Sequence, residues 1–308
     1  MFQLSIDEIL KATKGKLLET GETVSVSGIS TDSRKTAEGD LFIPLKGEKF
    51  DGHDFIESAF RHKAAAALTQ DYSVHFPGKT LILVENTLEA LQELAAYYRS
   101  RFAIPFIGIT GSVGKTSTKE MVACVLEEKY NVLKNEGNLN NEIGVPLTVF
   151  RLDAGHEAAV VEMGMSGFGE ISTLTAIVRP KVGIITNIGI SHIEKLGSRQ
   201  NILKAKLEIL EGLQPDGLVV LNGDDELLNA VKELLQQRTV TYGLEKGADY
   251  FAQNIDLRGE KGTDFDVTVE GRNYTIHIPV PGIHNVYNAL AAIAVGRELG
   301  VPPEAAAA

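Results

Sequence analysis

The chain has 308 residues, 44% hydrophobic and 23% charged, the proportions of a globular protein with room for two domains. Its net charge of −11 excludes a general nucleic-acid binder, which needs a basic face for phosphates, but not a small anionic ligand held in a local pocket. The single cysteine, Cys124, excludes an internal disulfide, and no run approaches the ~20 apolar residues of a membrane helix. The opening MFQLSIDEIL lacks the basic flank of a signal peptide, so the expected location is the cytoplasm.

Residues 1–84 read as a small α/β domain. Ser5 followed by Glu8 predicts a capped first helix with Ile6, Ile9 and Leu10 inward. The runs VSVSGIS, DLFIPL and TLILVE are strand-like, and DFIESAFRHKAAAA, between the last two, reads as helical. Next, ENTLEALQELAAYYRSRF predicts a long helix capped by Asn86 or Thr87, with a stripe of Leu88, Leu91, Leu94, Ala95 and Tyr98. The second domain is placed at 85–308, with 85–104 as a bridging helix ended by Pro105.

From residue 105, short Val/Ile-rich runs (PFIGIT, AAVVEMG, KVGIITNIG, DGLVVLNGDD, TVTYGL) alternate with helical patterns or glycine turns. This predicts a mostly parallel sheet with helices on both faces. DFDVTVEGRNYTIHIPV alternates around Gly271 and predicts an added antiparallel hairpin. HNVYNALAAIAVGREL closes the pattern as a helix.

The stretch GITGSVGKTSTK lies where PFIGIT turns into a helix with Met121, Val122, Val125 and Leu126 inward; Cys124, in the same apolar run, is expected in the core. The commonest phosphate-loop pattern wants a glycine six places before the lysine, where this chain has Ile109. The context still favours a phosphate cradle over a plain turn. Helix-start N–H groups attract anions, and Gly111 and Gly114 let the backbone approach them. Lys115 can reach terminal phosphates and Thr116 can offer its hydroxyl to Mg²⁺. Ser112, Val113 and Ser117 complete the loop.

Other polar residues fall at strand ends, where open parallel sheets bind ligands. Glu162 closes AAVVE and is either a Mg²⁺ ligand or a solvated carboxylate. Asn187 and His192 follow GIIT; His192 by itself reads as a loop residue, since Mg²⁺ seldom takes imidazole. Lys206 falls among Leu203, Leu207 and Leu210, so it either snorkels outward or is modified. Asn285 and Asn288 share a helical face and suit either an adenine edge or a helix cap.

Taken together, the chain resembles the Mur ligases, in their D-alanyl-D-alanine-adding branch. The resemblance rests on Thr110–Ser117, which fits the shorter T-G-x-x-G-K-[ST] loop, and on STDSRKTAEGDLFIPLKGEKFDGHDF, NLNNEIGVPLTVF, EMGMSGFGEI, TNIGISHIEKLGS and KAKLEIL. It implies an ATP-dependent amide ligase of peptidoglycan precursor synthesis, joining D-alanyl-D-alanine to UDP-N-acetylmuramoyl-tripeptide through an acyl phosphate. Lys115, Glu162, His192 and Lys206 would be catalytic, and Thr116, Glu162, His192 and Lys206 would hold or orient Mg²⁺. Lys206 would be carbamylated, which turns a cation into an anionic oxygen ligand. Gly111 to Ser117 would hold the ATP phosphates, with Asn141 and Asn288 near adenine. Thr31, Asp32, Ser33, Arg34, Lys46, Gly47 and Asp51 would take the uridine diphosphate end.

The resemblance also implies a monomer with no nucleic-acid or membrane partner. A third, C-terminal family domain is not matched before the chain stops at GVPPEAAAA, so little ligase turnover is expected of this chain. Two alternatives stay open: the preceding ligase, which adds the third amino acid, and a non-catalytic nucleotide-sugar-binding fragment. Ser191 departs from many relatives, without an assigned consequence.

Overall fold

Ser5 opens the first helix of the computed structural model, which describes residues 2–306. Ser5 Oγ accepts from the Glu8 amide at 3.2 Å, and Glu8 Oε2 accepts from the Ser5 amide at 2.9 Å. This reciprocal cap starts Ile6–Thr13, which buries Ile6 and Ile9. Asn86, not Thr87, caps Thr87–Arg99 by accepting from the Leu88 and Glu89 amides. The buried stripe of that helix, Leu91, Leu94, Ala95 and Tyr98, faces Ile6–Thr13 and the helix Gly144–Val149.

Two units result. One runs to Ala103 and takes in Glu142–Ala154; the other comprises Ile104–Asn141 and the described residues from Gly155 onward. The helix that the sequence suggests as a bridge therefore packs inside the first unit. An apolar stripe binds wherever a complementary face exists, and here both faces, Ile6–Thr13 and Gly144–Val149, belong to that unit.

The first unit has a five-stranded sheet ordered Lys16–Glu19, Thr80–Leu83, Ala66–Thr69, Asp40–Phe42, Gly28–Ser30. All pairs are parallel except the first. One sequence expectation fails here. The helix in DFIESAFRHKAAAA is only Ile56–Arg61, and Ala66–Thr69 is the central strand, with Ala66, Ala67 and Leu68 fully buried between neighbours. The helix propensity of alanine, a few tenths of a kcal/mol per residue, loses to two flanking ladders that supply hydrogen bonds and burial.

The second unit is built on nine strands: β1 (Phe106–Thr110), β2 (Val132–Lys134), β3 (Ala158–Glu162), β4 (Val182–Ile185), β5 (Leu218–Asn222), β6 (Arg238–Gly243), β7 (Tyr250–Leu257), β8 (Thr263–Val269) and β9 (Arg272–Ile278). Their order is β9-β8-β7-β6-β5-β4-β1-β3-β2. β2 through β7 run parallel with β1, and β8–β9 is the expected antiparallel hairpin. Glu270 and Gly271 turn the hairpin with φ of 52° and 77°, the two left-handed residues of a two-residue turn. β2 and β7 are short of a clear apolar run and are not anticipated from the sequence.

Helices α1 (Lys115–Glu127) and α3 (Ile283–Glu298) cover one face, packing Val122, Leu126, Val286, Leu290 and Ile293 on Ile107, Ile109, Val160, Ile184 and Val220. Glu170–Val178 and α2 (Arg199–Leu207) lie with the other layer, where Gly183 faces Ile209 and Leu213. Cys124 is exposed on α1, contrary to the core position expected. At 100° per residue it points away from the Val122–Leu126 side. Among the described residues no helix is long and apolar enough to cross a membrane.

Candidate functional site

β1 meets α1 at Gly111–Gly114. Gly111 has a φ of 151°, and a Cβ there would stand 1.9 Å from Thr186 Oγ1. Gly114 caps α1 at a φ of 80°. Both positions thus need glycine for backbone reasons. The crest of the loop is held from β4. The Asn187 side chain brackets the Val113 peptide, accepting from its N–H and donating to its carbonyl at 3.1 and 3.0 Å. Thr186 Oγ1 donates to the same carbonyl at 2.7 Å. The Ser112 amide in turn donates to the Asn187 carbonyl at 3.1 Å, so the strand-to-helix turn is braced on one side by Thr186 and Asn187.

Lys115 Nζ folds back to donate to the Gly111 carbonyl at 3.0 Å. Burial lowers its pKa, and the nearby Glu162 carboxylate opposes that shift. Glu162, the last residue of β3, is buried, and its two oxygens have separate partners. Thr116 Oγ1 donates to Oε2 at 2.8 Å and Asn140 Nδ2 donates to Oε1 at 2.8 Å.

Lys206 on α2 is only 2% exposed, so it does not snorkel. It makes no hydrogen bond or ion pair with the described residues. Burial, then the charge of Lys115, pushes its pKa down to about 7. The unfolded chain keeps its proton up to about 10.4, so between these values unfolding takes up a proton. Stability then rises with pH by up to about 1.4 kcal/mol per unit. Urea unfolding of the wild type and Lys206→Met at pH 7 to 10, in CO₂-free buffer, is expected to lose this slope in the variant; parallel curves would contradict the lowered pKa of the buried lysine.

Thr116 and Glu162 are thus joined by a hydrogen bond, with Lys115 beside them, and Lys206 lies close enough for the Lys115 charge to act on it. Among the described residues no hydrogen bond or ion pair reaches the His192 side chain; His192 stands at the start of the short helix Ile193–Leu196 at a φ of 63° and is exposed. Among the described residues no three His, Cys, Asp or Glu side chains gather into a metal-holding group.

Beside the loop lies a cavity of about 500 Å³, lined by Val113, Gly114, Ser117, Asn187, Asp225, Tyr287 and Asn288 among others. The Asn288 amide is already committed: Oδ1 accepts from Thr118 and Nδ2 donates to Asn285. Asn141 follows Asn140 on the loop after β2 and is not among the lining residues. Asp224, also in the lining, accepts from Tyr287 Oη at 2.8 Å and from the Leu244 amide at 2.6 Å. Asp225 accepts from the Ile188 amide at 2.7 Å and so steadies the loop that carries His192. Sequence reasoning passed over Asp224 and Asp225, although LNGDDE sits at the carboxyl end of β5 and the strand-end rule applied to Glu162 covers it. Tyr287 and Asn140 carried no comparable signal.

In the first unit, Thr31–Arg34 and Lys46–Asp51 leave the carboxyl ends of two adjacent parallel strands, Gly28–Ser30 and Asp40–Phe42. Arg34 forks onto Asp32 at 2.9 and 2.8 Å, holding that carboxyl at about 2. Ser33 is buried. Lys46 bridges to Asp51, and Gly47 donates to the Phe50 carbonyl at 3.0 Å.

The chain matches the Mur ligase middle domain over residues 109–296 and the Mur ligase family catalytic domain over 25–99. The chain belongs to the Mur ligase family. It is 46% identical over 310 aligned residues to UDP-N-acetylmuramoyl-tripeptide–D-alanyl-D-alanine ligase of Bacillus subtilis, covering 100% of this chain and 66% of that protein. The Escherichia coli enzyme of the same name is 34% identical, with 99% and 67% covered. Among solved structures, MurF of Acinetobacter baumannii superposes with a TM-score of 0.93 at 32% identity, covering 100% of this chain and 67% of that one. MurF ligase of Thermotoga maritima in complex with ADP gives 0.83 at 31%, covering 91% and 65%. The chain thus spans about two thirds of the length of these Mur ligases.

Proposed function

We propose that the chain carries the nucleotide-binding and nucleotide-sugar-binding parts of an ATP-dependent ligase that joins D-alanyl-D-alanine to UDP-N-acetylmuramoyl-tripeptide. What supports this most is the meeting of Lys115, Thr116 and Glu162 at one glycine-lined strand-to-helix junction, with the buried Lys206 within reach of the Lys115 charge. The identity to D-alanyl-D-alanine ligases along the whole chain supports the substrate class.

The residues fit ATP and Mg²⁺. A Cβ at Gly111 would strike Thr186 Oγ1 and push the loop off its path, and Mg²⁺ prefers one or two protein oxygens completed by phosphates and water, which suits a single buried carboxylate better than a full protein cage. Glu162 and Thr116 would hold the ion, which would supply charge neutralisation on the transferred phosphoryl group. Lys115 would leave the Gly111 carbonyl for the terminal phosphates. The loop amides would orient the phosphates towards the substrate carboxylate, so that an acyl phosphate forms and the incoming amine displaces phosphate. The Lys206 pKa near 7 leaves much of the amine neutral, the form that adds CO₂. The resulting carbamate would face the Lys115 cation and could orient metal, with His192 aiding from its loop. Asp32, Arg34, Lys46 and Asp51 would meet the uridine diphosphate.

Calorimetry tests this reading. MgADP and UDP-N-acetylmuramoyl-tripeptide are expected to bind at separate sites, each with one-to-one stoichiometry. With ¹³C-bicarbonate, a carbamate carbonyl resonance is expected that Lys206→Arg lacks. Absence of binding by both ligands would sink the ligase reading; absence of the resonance alone would remove only the carbamate.

A further inference from the structure

Glu162 carries one neutral donor on each oxygen, and the two donors are not equivalent towards a cation. The Thr116 hydroxyl on Oε2 has lone pairs as well as a proton, so it can rotate, release Oε2 and become a ligand itself. The Asn140 amide nitrogen on Oε1 can only continue to donate. Asn140 is also fixed in place. Its carbonyl accepts from the Gly164 amide at 2.7 Å, and its own amide donates to the Asn138 carbonyl at 2.8 Å. Its side chain lies where Gly164 has no Cβ; one there would come within 3.1 Å of Asn140 Cγ and Oδ1.

The support continues behind it. Asn135, buried, brackets the Glu162 peptide by accepting from its N–H at 2.9 Å and donating to its carbonyl at 3.0 Å. The same Nδ2 donates to the Leu139 carbonyl at 2.9 Å, just before Asn140. Lys119, 1% exposed on α1, spends its buried ammonium on the Asn135 carbonyl at 2.7 Å, with Glu120 as its counter-charge. A buried cation is costly unless it is paired and hydrogen-bonded; this one ties the phosphate-loop helix to the segment that aims Glu162.

We infer that Asn140 makes Glu162 a one-oxygen metal ligand and thereby biases the site towards a small octahedral dication over Ca²⁺. Mg²⁺ needs near-ideal octahedral geometry, whereas Ca²⁺ readily takes both oxygens of one carboxylate. With Oε1 held by the Asn140 Nδ2 donor, which has no lone pair to give a cation, Oε2 is the oxygen offered. The inference rests on Glu162 being a metal ligand, as proposed above.

The test measures ADP binding by calorimetry while Mg²⁺ or Ca²⁺ is varied, in the wild type, Asn140→Ala and Gly164→Ala. In the wild type, Mg²⁺ is expected to strengthen ADP binding more than Ca²⁺ does. In Asn140→Ala the Mg²⁺ requirement rises roughly tenfold and the Ca²⁺ requirement rises less, so the Mg²⁺/Ca²⁺ preference falls. Gly164→Ala, which displaces the Asn140 side chain without removing it, shifts the preference the same way and decides the matter if Asn140→Ala lowers Tm. A simple loss of structure would weaken both ions alike, and equal weakening in the folded variants overturns the inference. ADP binding indifferent to Mg²⁺ in the wild type overturns the metal role of Glu162 itself.

Discussion

Lys115→Met is expected to weaken MgADP binding roughly 10- to 150-fold, the equivalent of a charged hydrogen bond worth about 1.5–3 kcal/mol. The free chain already holds this side chain over the loop, donating to the Gly111 carbonyl, so little ordering remains to be done when phosphates arrive. Methionine keeps the stem's bulk but not its charge, which separates charge from packing. The substitution has a second consequence. Lys115 is the charged neighbour that pushes the Lys206 pKa down after burial has done so, so removing it is expected to raise that pKa from about 7. Calorimetry checks the first effect, and the pH dependence of unfolding checks the second. An unchanged affinity for MgADP would leave the loop as an ordinary glycine turn.

Gly111→Ala is expected to be more damaging, because it attacks the backbone rather than a contact. A φ of 151° is strained for any residue with a Cβ, and that Cβ would stand 1.9 Å from Thr186 Oγ1. Thr186 cannot easily retreat: it is buried, stiff at χ1, and donates to the Val113 carbonyl. Strain and overlap together are expected to cost about 3 kcal/mol or more, a fall of roughly 6–12 °C in Tm for a unit of about 200 residues, with nucleotide binding lost. Adding Thr186→Ala removes the oxygen and is expected to recover part of the stability, leaving the φ strain. Differential scanning calorimetry with ADP titration reads both. A Gly111→Ala protein with wild-type Tm and affinity would mean that the loop does not need its glycine.

The two variants mark the limits of a sequence reading. The pattern of residues is local at Gly111–Ser117, in the cap of Ser5 and Glu8, and in the turn at Glu270–Gly271. In each the deciding forces act between near neighbours: orphan amides at a helix start, or a φ that only some residues adopt. Strand-end placement likewise put Glu162 at the site, because a strand has a direction and its end can be found from where the apolar run stops.

What the sequence by itself determined, then, was the alternation of strands and helices, the glycine-lysine loop and the family resemblance, since short-range sterics and hydrophobic period fix these. Only the tertiary structure decided that Ala66–Thr69 is a strand, that Cys124 faces outward, and that Lys206 is buried rather than snorkelling. It alone linked Asn140, Asn135 and Lys119 to Glu162. Each of these depends on partners distant in sequence. Burial and pairing free energies belong to those partners as much as to the residue, and a single string of letters does not say which of them will meet.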